Sequence, residues 1–144
     1  MKVPQITLYA KSTGLEIGIF EKKSDGKPRE GRISLRFFSM ESALSQIRFV
    51  AEPWEGYELY RRITKVFTDG GKESLTHKFV GSAGEVVTKL TVETFERHGK
   101  PGYAISIQRG GEGINVPQTA DHFLYAAEFL RHLSLVQAWV EPPA

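Results

Sequence analysis

Residues 119–140 constrain this chain more than any other stretch. Phe123, Leu124, Tyr125, Ala126, Ala127, Phe129, Leu130, Leu133, Leu135, Val136, Ala138, Trp139 and Val140 leave His122, Glu128, Arg131 and Gln137 as a narrow polar strip. Thr119 stands where it can cap the free amides of a first helical turn, and Asp121 puts negative charge near the positive end. A helix apolar around most of its girth must be covered on most sides. One sheet covers one side, so a neighbouring subunit is expected to cover another.

The rest of the chain alternates with a period of two, the mark of strands with one buried face. Ile6, Leu8 and Ala10 face inward against Gln5, Thr7, Tyr9 and Lys11. After the Thr13-Gly14 turn, Leu15, Ile17 and Ile19 alternate with Glu16, Gly18, Phe20 and Lys22. A polar loop, Lys22 to Gly31, leads to Ile33, Leu35 and Phe37, with Arg32, Ser34, Arg36 and Phe38 on the other side. A polar break at Ser39 to Ser42 precedes Ile47 and Phe49, which alternate with Gln46, Arg48 and Val50. Glu52-Pro53-Trp54-Glu55 is an acidic, proline-bearing helix start, and Gly70-Gly71 is its stop. Between them Tyr57, Tyr60, Ile63 and Val66 or Phe67 recur at helical spacing. Four more strands are expected at Leu75–Val80, Val86–Phe95, Tyr103–Gln108 and Ile114–Val116, ahead of the long helix.

At 144 residues this is one domain, 1–144, large enough for a real core. The absence of cysteine excludes disulfides and thiolate metal sites. His77, His98, His122 and His132 show no pair at metal-ligand spacing. His122 and His132 lie about 280° apart around a helix and share no face. Arg109-Gly110-Gly111-Glu112-Gly113 leads into a strand and lacks the Lys-Ser or Lys-Thr of a phosphate loop, so it reads as a hairpin turn. No set of residues points to catalysis or a cofactor, and none is expected.

The net charge of +2 is unevenly spread. Residues 1–50 hold nine Lys or Arg against five Asp or Glu, +4, while residues 51–144 hold ten against twelve, −2. The basic excess sits on the N-terminal strands, as a groove following a phosphate backbone requires. Tyr9, Phe20, Phe38 and Phe95 fall on outward positions, where a large ring needs a reason to be. Lys11, Lys22, Arg36 and Arg48 are expected beside these rings. Cations meet phosphate and rings meet bases of any sequence, which is the chemistry of single-strand binding.

Ser82-Ala83-Gly84-Glu85-Val86-Val87-Thr88-Lys89-Leu90-Thr91-Val92, Gly102-Tyr103-Ala104-Ile105-Ser106-Ile107, Val116-Pro117-Gln118-Thr119-Ala120-Asp121-His122-Phe123 and the closing Ala138-Trp139 resemble, in order and spacing, the second half of the Whirly family. Gly31–Met40 and Gln46–Ile63 fall where that family has two strands and its first helix. Whirly proteins are single-stranded DNA binders known from plant organelles and nuclei. The resemblance implies an α+β fold with two antiparallel four-stranded sheets and two helices, ββββα repeated twice. It also implies a homotetramer built through the C-terminal helix, 119–140, with single-stranded DNA along the sheets. One departure matters. The family's lysine-, glycine- and alanine-rich signature has no counterpart in Val3-Pro4-Gln5-Ile6-Thr7-Leu8-Tyr9, so its DNA contacts do not carry over.

The contacts are therefore read from strand faces. Arg32, Arg36, Arg48, Lys11 and Lys78 are expected to neutralise phosphate and Tyr9, Phe20 and Phe38 to stack on bases, with Lys22 and Lys89 completing the set. The expected protein is a soluble, non-enzymatic single-stranded DNA binder with little sequence preference, acting in replication, repair or recombination. It is expected to be cytoplasmic or nucleoid-associated, without a membrane span. Kinetoplast guide-RNA-binding proteins share the Whirly architecture, so RNA is a second candidate ligand. Two further roles fit the same pattern of strands and helices: a small-molecule carrier with a sheet folded over a helix, and a scaffold binding proteins at its sheet edges.

Overall fold

The computed structural model describes residues 1–41 and 45–143. Two meanders, each closed by a helix, make up the chain. The first has strands β1 (Gln5–Tyr9), β2 (Thr13–Lys22), β3 (Glu30–Ser39) and β4 (Gln46–Ala51), then helix α1 (Pro53–Asp69). The second has β5 (Lys72–Gly81), β6 (Gly84–Arg97), β7 (Lys100–Arg109) and β8 (Glu112–Gln118), then helix α2 (Ala120–Val136). Each sheet is antiparallel throughout, with strands in chain order. This is the expected ββββα architecture, twice. Ser42, at the end of the expected polar break, lies outside the described residues.

Period-two alternation becomes cross-strand rows once the register is set. Leu8, Leu15, Phe37 and Ile47 form one inward row of the first sheet, and Ile6, Ile17, Leu35 and Phe49 the next. Ile19, expected to continue the buried side of β2, is exposed, because β1 begins at Gln5 opposite Gly18 and does not run alongside it. Leu75, Leu90, Ile107 and Ile114, then Val92, Ile105 and Val116, form the inward rows of the second sheet. These rows and the inward sides of both helices meet in one core. Phe37, Phe49 and Phe123, each essentially without exposed surface, are among the largest side chains of that core. At the seam between the halves, His77 stacks on Phe49 with ring centroids 4.0 Å apart, and its Nε2 lies 2.7 Å from Glu55 Oε2. Among the described residues no helix is long and apolar enough to cross a membrane.

Helix α1 begins at Pro53, with Glu55 Oε1 accepting from the Glu52 amide at 2.9 Å, half of a capping box. Its buried stripe is Leu59, Ile63 and Val66, with Tyr57 and Phe67 exposed, so the helix is turned from the expected orientation. Leu59 and Val66 bury no polar atom, whereas Tyr57 and Tyr60 carry hydroxyls that favour water.

Helix α2 is capped as expected, Thr119 accepting from the His122 amide at 3.2 Å, but it stops at Val136 instead of continuing to residue 140. Gln137, expected on the polar strip, is only 4% exposed. Its Nε2 donates to Arg32 O at 2.8 Å and Phe20 O at 3.2 Å, and its Oε1 accepts from Trp139 Nε1 at 3.1 Å. The Gly31 amide then donates to Trp139 O at 3.0 Å, and the Glu141 amide to Arg29 O at 2.8 Å, so the tail runs as an extra antiparallel rung beside the start of β3. Backbone partners on β3 outcompete further helical turns, and Trp139, half-buried, lies against Gly31 instead of on a helix face.

Candidate nucleic-acid interface

The outward face of the first sheet is also organised in rows. Tyr9, Gly14, Phe38 and Gln46 form one, and Thr7, Glu16, Arg36 and Arg48 the next. Of the contacts expected from the sequence, the register thus brings together Tyr9, Arg36, Phe38 and Arg48. Farther along β2 and β3, Phe20 pairs with Arg32.

Phe38 lies over Gly14. A Cβ there would stand 2.6 and 2.9 Å from Phe38 Cε2 and Cε1, so the missing side chain is what makes room for the ring. Tyr9 meets Phe38 edge to face, with centroids 6.0 Å apart and planes at 76°, and remains 61% exposed. The Arg36 guanidinium caps Phe38, its Cζ 4.7 Å from the ring centroid. Arg36 Nη2 donates to Glu16 Oε2 at 2.9 Å, Nε to Glu16 Oε1 at 3.3 Å, and Nη1 to Gln46 Oε1 at 3.2 Å. The hydrogen bond from Arg36 holds the Glu16 carboxyl below the usual carboxylate range, against the opposing effect of burial, with the charges of Arg36 and Arg48 adding to the lowering. Arg36 is raised in turn by its hydrogen bond to Glu16. Arg48 is exposed, and among the described residues its guanidinium has no side-chain partner.

The other expected contacts lie elsewhere. Arg32 is committed within the protein: Nη2 lies 2.6 Å from Glu30 Oε2 and 3.8 Å from Glu52 Oε1, Nη1 donates to Gly31 O at 2.9 Å, and the side chain is 12% exposed. Phe20, half-buried, sits beside it. Lys11 is exposed just past the end of β1, and Lys22, also exposed, pairs with Glu30 one outward row beyond Phe20 and Arg32. Lys78 and Lys89 are exposed on the outward face of the second sheet, which also carries Phe95. Both sheets turn their inward faces to one core, so Lys78 and Lys89 belong to a separate surface.

Sequence reasoning missed Glu16, Gln46 and Gly14. Glu16 and Gln46 stood at outward positions and Gly14 in an expected turn; instead Thr13 and Gly14 open β2, and only the register shows that Glu16 faces Arg36 and Gly14 faces Phe38. A second exposed surface is apolar and belongs to the helices. Tyr57 and Tyr60 of α1 have centroids 5.6 Å apart, Arg131 of α2 lies 5.7 Å over Tyr60, and Leu135, one turn on, is 71% exposed. Tyr125 and Val136 are also about half exposed on α2.

No protein-family model and no curated protein matches this chain. Solved structures do. Over 95% of this chain and 92% of the other, the fold superposes on WHY1 from Arabidopsis thaliana with a TM-score of 0.63 at 15% identity. Over 95% and 83% it superposes on the plant transcriptional regulator PBF-2 with a TM-score of 0.60, again at 15% identity. The chain has a Whirly-like fold: two antiparallel four-stranded sheets and two helices, in the order these structures share.

Proposed function

We propose that this protein binds single-stranded DNA with little sequence preference, on the outward face of its first sheet. The observation that carries the reading is the cluster of Tyr9, Arg36 and Phe38 beside Arg48: an exposed ring, a guanidinium capped on a second ring, and an adjacent exposed cation. Rings and guanidinium planes accept any base, and cations accept the backbone. The Whirly-like fold supports the same ligand class. No catalytic role is assigned to any residue.

The protein acts as a homo-oligomer joined through its helices, in our reading a tetramer. Leu135, Tyr125 and Val136 on α2, with Tyr57 on α1, are apolar surface that a second copy would take out of water. Binding measured by anisotropy of a labelled oligonucleotide should weaken as salt rises, because association releases counterions. Salt-independent binding, or none at low salt, refutes the proposal. Competition with an RNA strand of the same sequence distinguishes the two nucleic acids, since only RNA offers the 2′-hydroxyl.

A further inference from the structure

We infer that Arg36 is a base-stacking group rather than a phosphate contact, and that Glu16 is the positioning residue that holds it over Phe38. The inference rests on the reading of this face as a single-strand surface and assigns its subsites. The Phe38 ring is already packed against the backbone at Gly14 and under the Arg36 guanidinium. The paired Nε–Nη2 edge of Arg36, the one best shaped for a phosphate, is closed to it. Three of its five N–H groups already donate, two to the Glu16 carboxylate and one to Gln46, and a phosphate could take the paired edge only by displacing Glu16 from a two-point contact. What Arg36 can offer a base is the side of its guanidinium turned away from Phe38.

A planar, unpaired base laid there would have Phe38 beneath the cation and the exposed Tyr9 ring at its flank. Arg48, the register neighbour of Arg36 on β4, has no side-chain partner among the described residues, so the phosphate contact falls to it. Charge agrees with this division: Glu16 cancels Arg36 within the row, leaving Arg48 as its net positive charge. The ligand class is a strand with accessible base faces and a phosphate beside them. A duplex, whose base faces are stacked on one another, offers the second but not the first.

The test compares two labelled strands of equal length and charge, one of thymidines and one of abasic sites, by anisotropy across a salt series. The wild-type protein should bind the thymidine strand about tenfold more tightly. Glu16→Gln and Arg36→Gln should each collapse that ratio toward one. Arg48→Ala should keep the ratio and lower the slope of log K against log salt by about 0.7. A Glu16→Gln protein that keeps the ratio overturns the positioning role, and an Arg36→Gln protein that keeps the ratio but loses the slope puts Arg36 on a phosphate. Circular dichroism melts show whether each variant is folded. Should Glu16→Gln not fold, Glu16→Asp, which keeps the charge but shortens the reach, takes its place with the same expectation. Equal binding of both strands by the wild type defeats the stacking subsite alone, whereas no binding of either at low salt defeats the nucleic-acid reading itself.

Discussion

Replacing Gly31 by alanine should detach the C-terminal tail from the first sheet. The Cβ added at Gly31 would overlap Gln137 O, and would stand 2.7 Å from Trp139 Nε1 and 2.9 Å from Gln137 C. Two of these atoms are backbone, so a rotamer change does not relieve the clash; residues 137–139 must move as a unit. Moving them breaks the bond from the Gly31 amide to Trp139 O at 3.0 Å and the pair from Gln137 Nε2 to the carbonyls of Phe20 and Arg32. Each such bond is worth about 1 kcal/mol, and a buried carbonyl left without a partner costs about 1–3 kcal/mol more. Part of that returns as water reaches the opened tail, which puts the expected loss at about 3 kcal/mol. For a chain of this size that lowers Tm by about 10 °C. Gly18→Ala is the matched control, since its Cβ would meet Gln5 Cγ at 3.5 Å, an ordinary contact. Denaturant titration and thermal melting of both variants give the comparison. A Gly31→Ala protein within about 0.5 kcal/mol of wild type, the range of an ordinary surface change, refutes the claim that the tail is latched through this point.

Thr119→Ala removes the acceptor for the His122 amide and should destabilise the protein by about 1 kcal/mol in a urea titration. Leu135→Lys puts charge on the exposed helix surface and should lower the mass measured by light scattering without lowering the Tm of the monomer. Acid should erode the Glu16–Arg36 pair. The folded-state pKa of Glu16 is lowered, so its contribution is full above the ordinary carboxylate value and is lost as pH falls through the depressed one. Wild type should therefore lose its Tm advantage over Glu16→Gln as melts are run from pH 7 down to about pH 3, and a constant difference across that range would contradict the pairing.

Much of the architecture is legible one strand at a time. The alternation of Leu15 and Ile17 with Glu16 and Gly18, or of Ile33, Leu35 and Phe37 with Arg32, Ser34 and Arg36, states which side of each strand turns to the core. Pro53 and Thr119 mark where both helices begin because caps are local chemistry between residues a few positions apart. Where helix α2 ends is not local. Nothing between residues 133 and 140 stops an apolar helix, and the partners that end it, Arg29, Gly31, Arg32 and Phe20, lie more than a hundred residues away.

The candidate site divides along the same line. That Tyr9, Arg36, Phe38 and Arg48 point outward follows from period two alone. That Arg36 is tied to Glu16, that Arg32 is spent on Glu30 while Arg48 is left without a side-chain partner among the described residues, and that Lys78 and Lys89 stand on another surface all depend on register and sheet packing. A strand's own sequence sets which face each side chain takes, because the backbone pleat alternates whatever lies beside it. Which charge neutralises which, and which ring covers which gap, is decided only when one strand is laid against another, since a shift of two residues preserves every face and changes every neighbour.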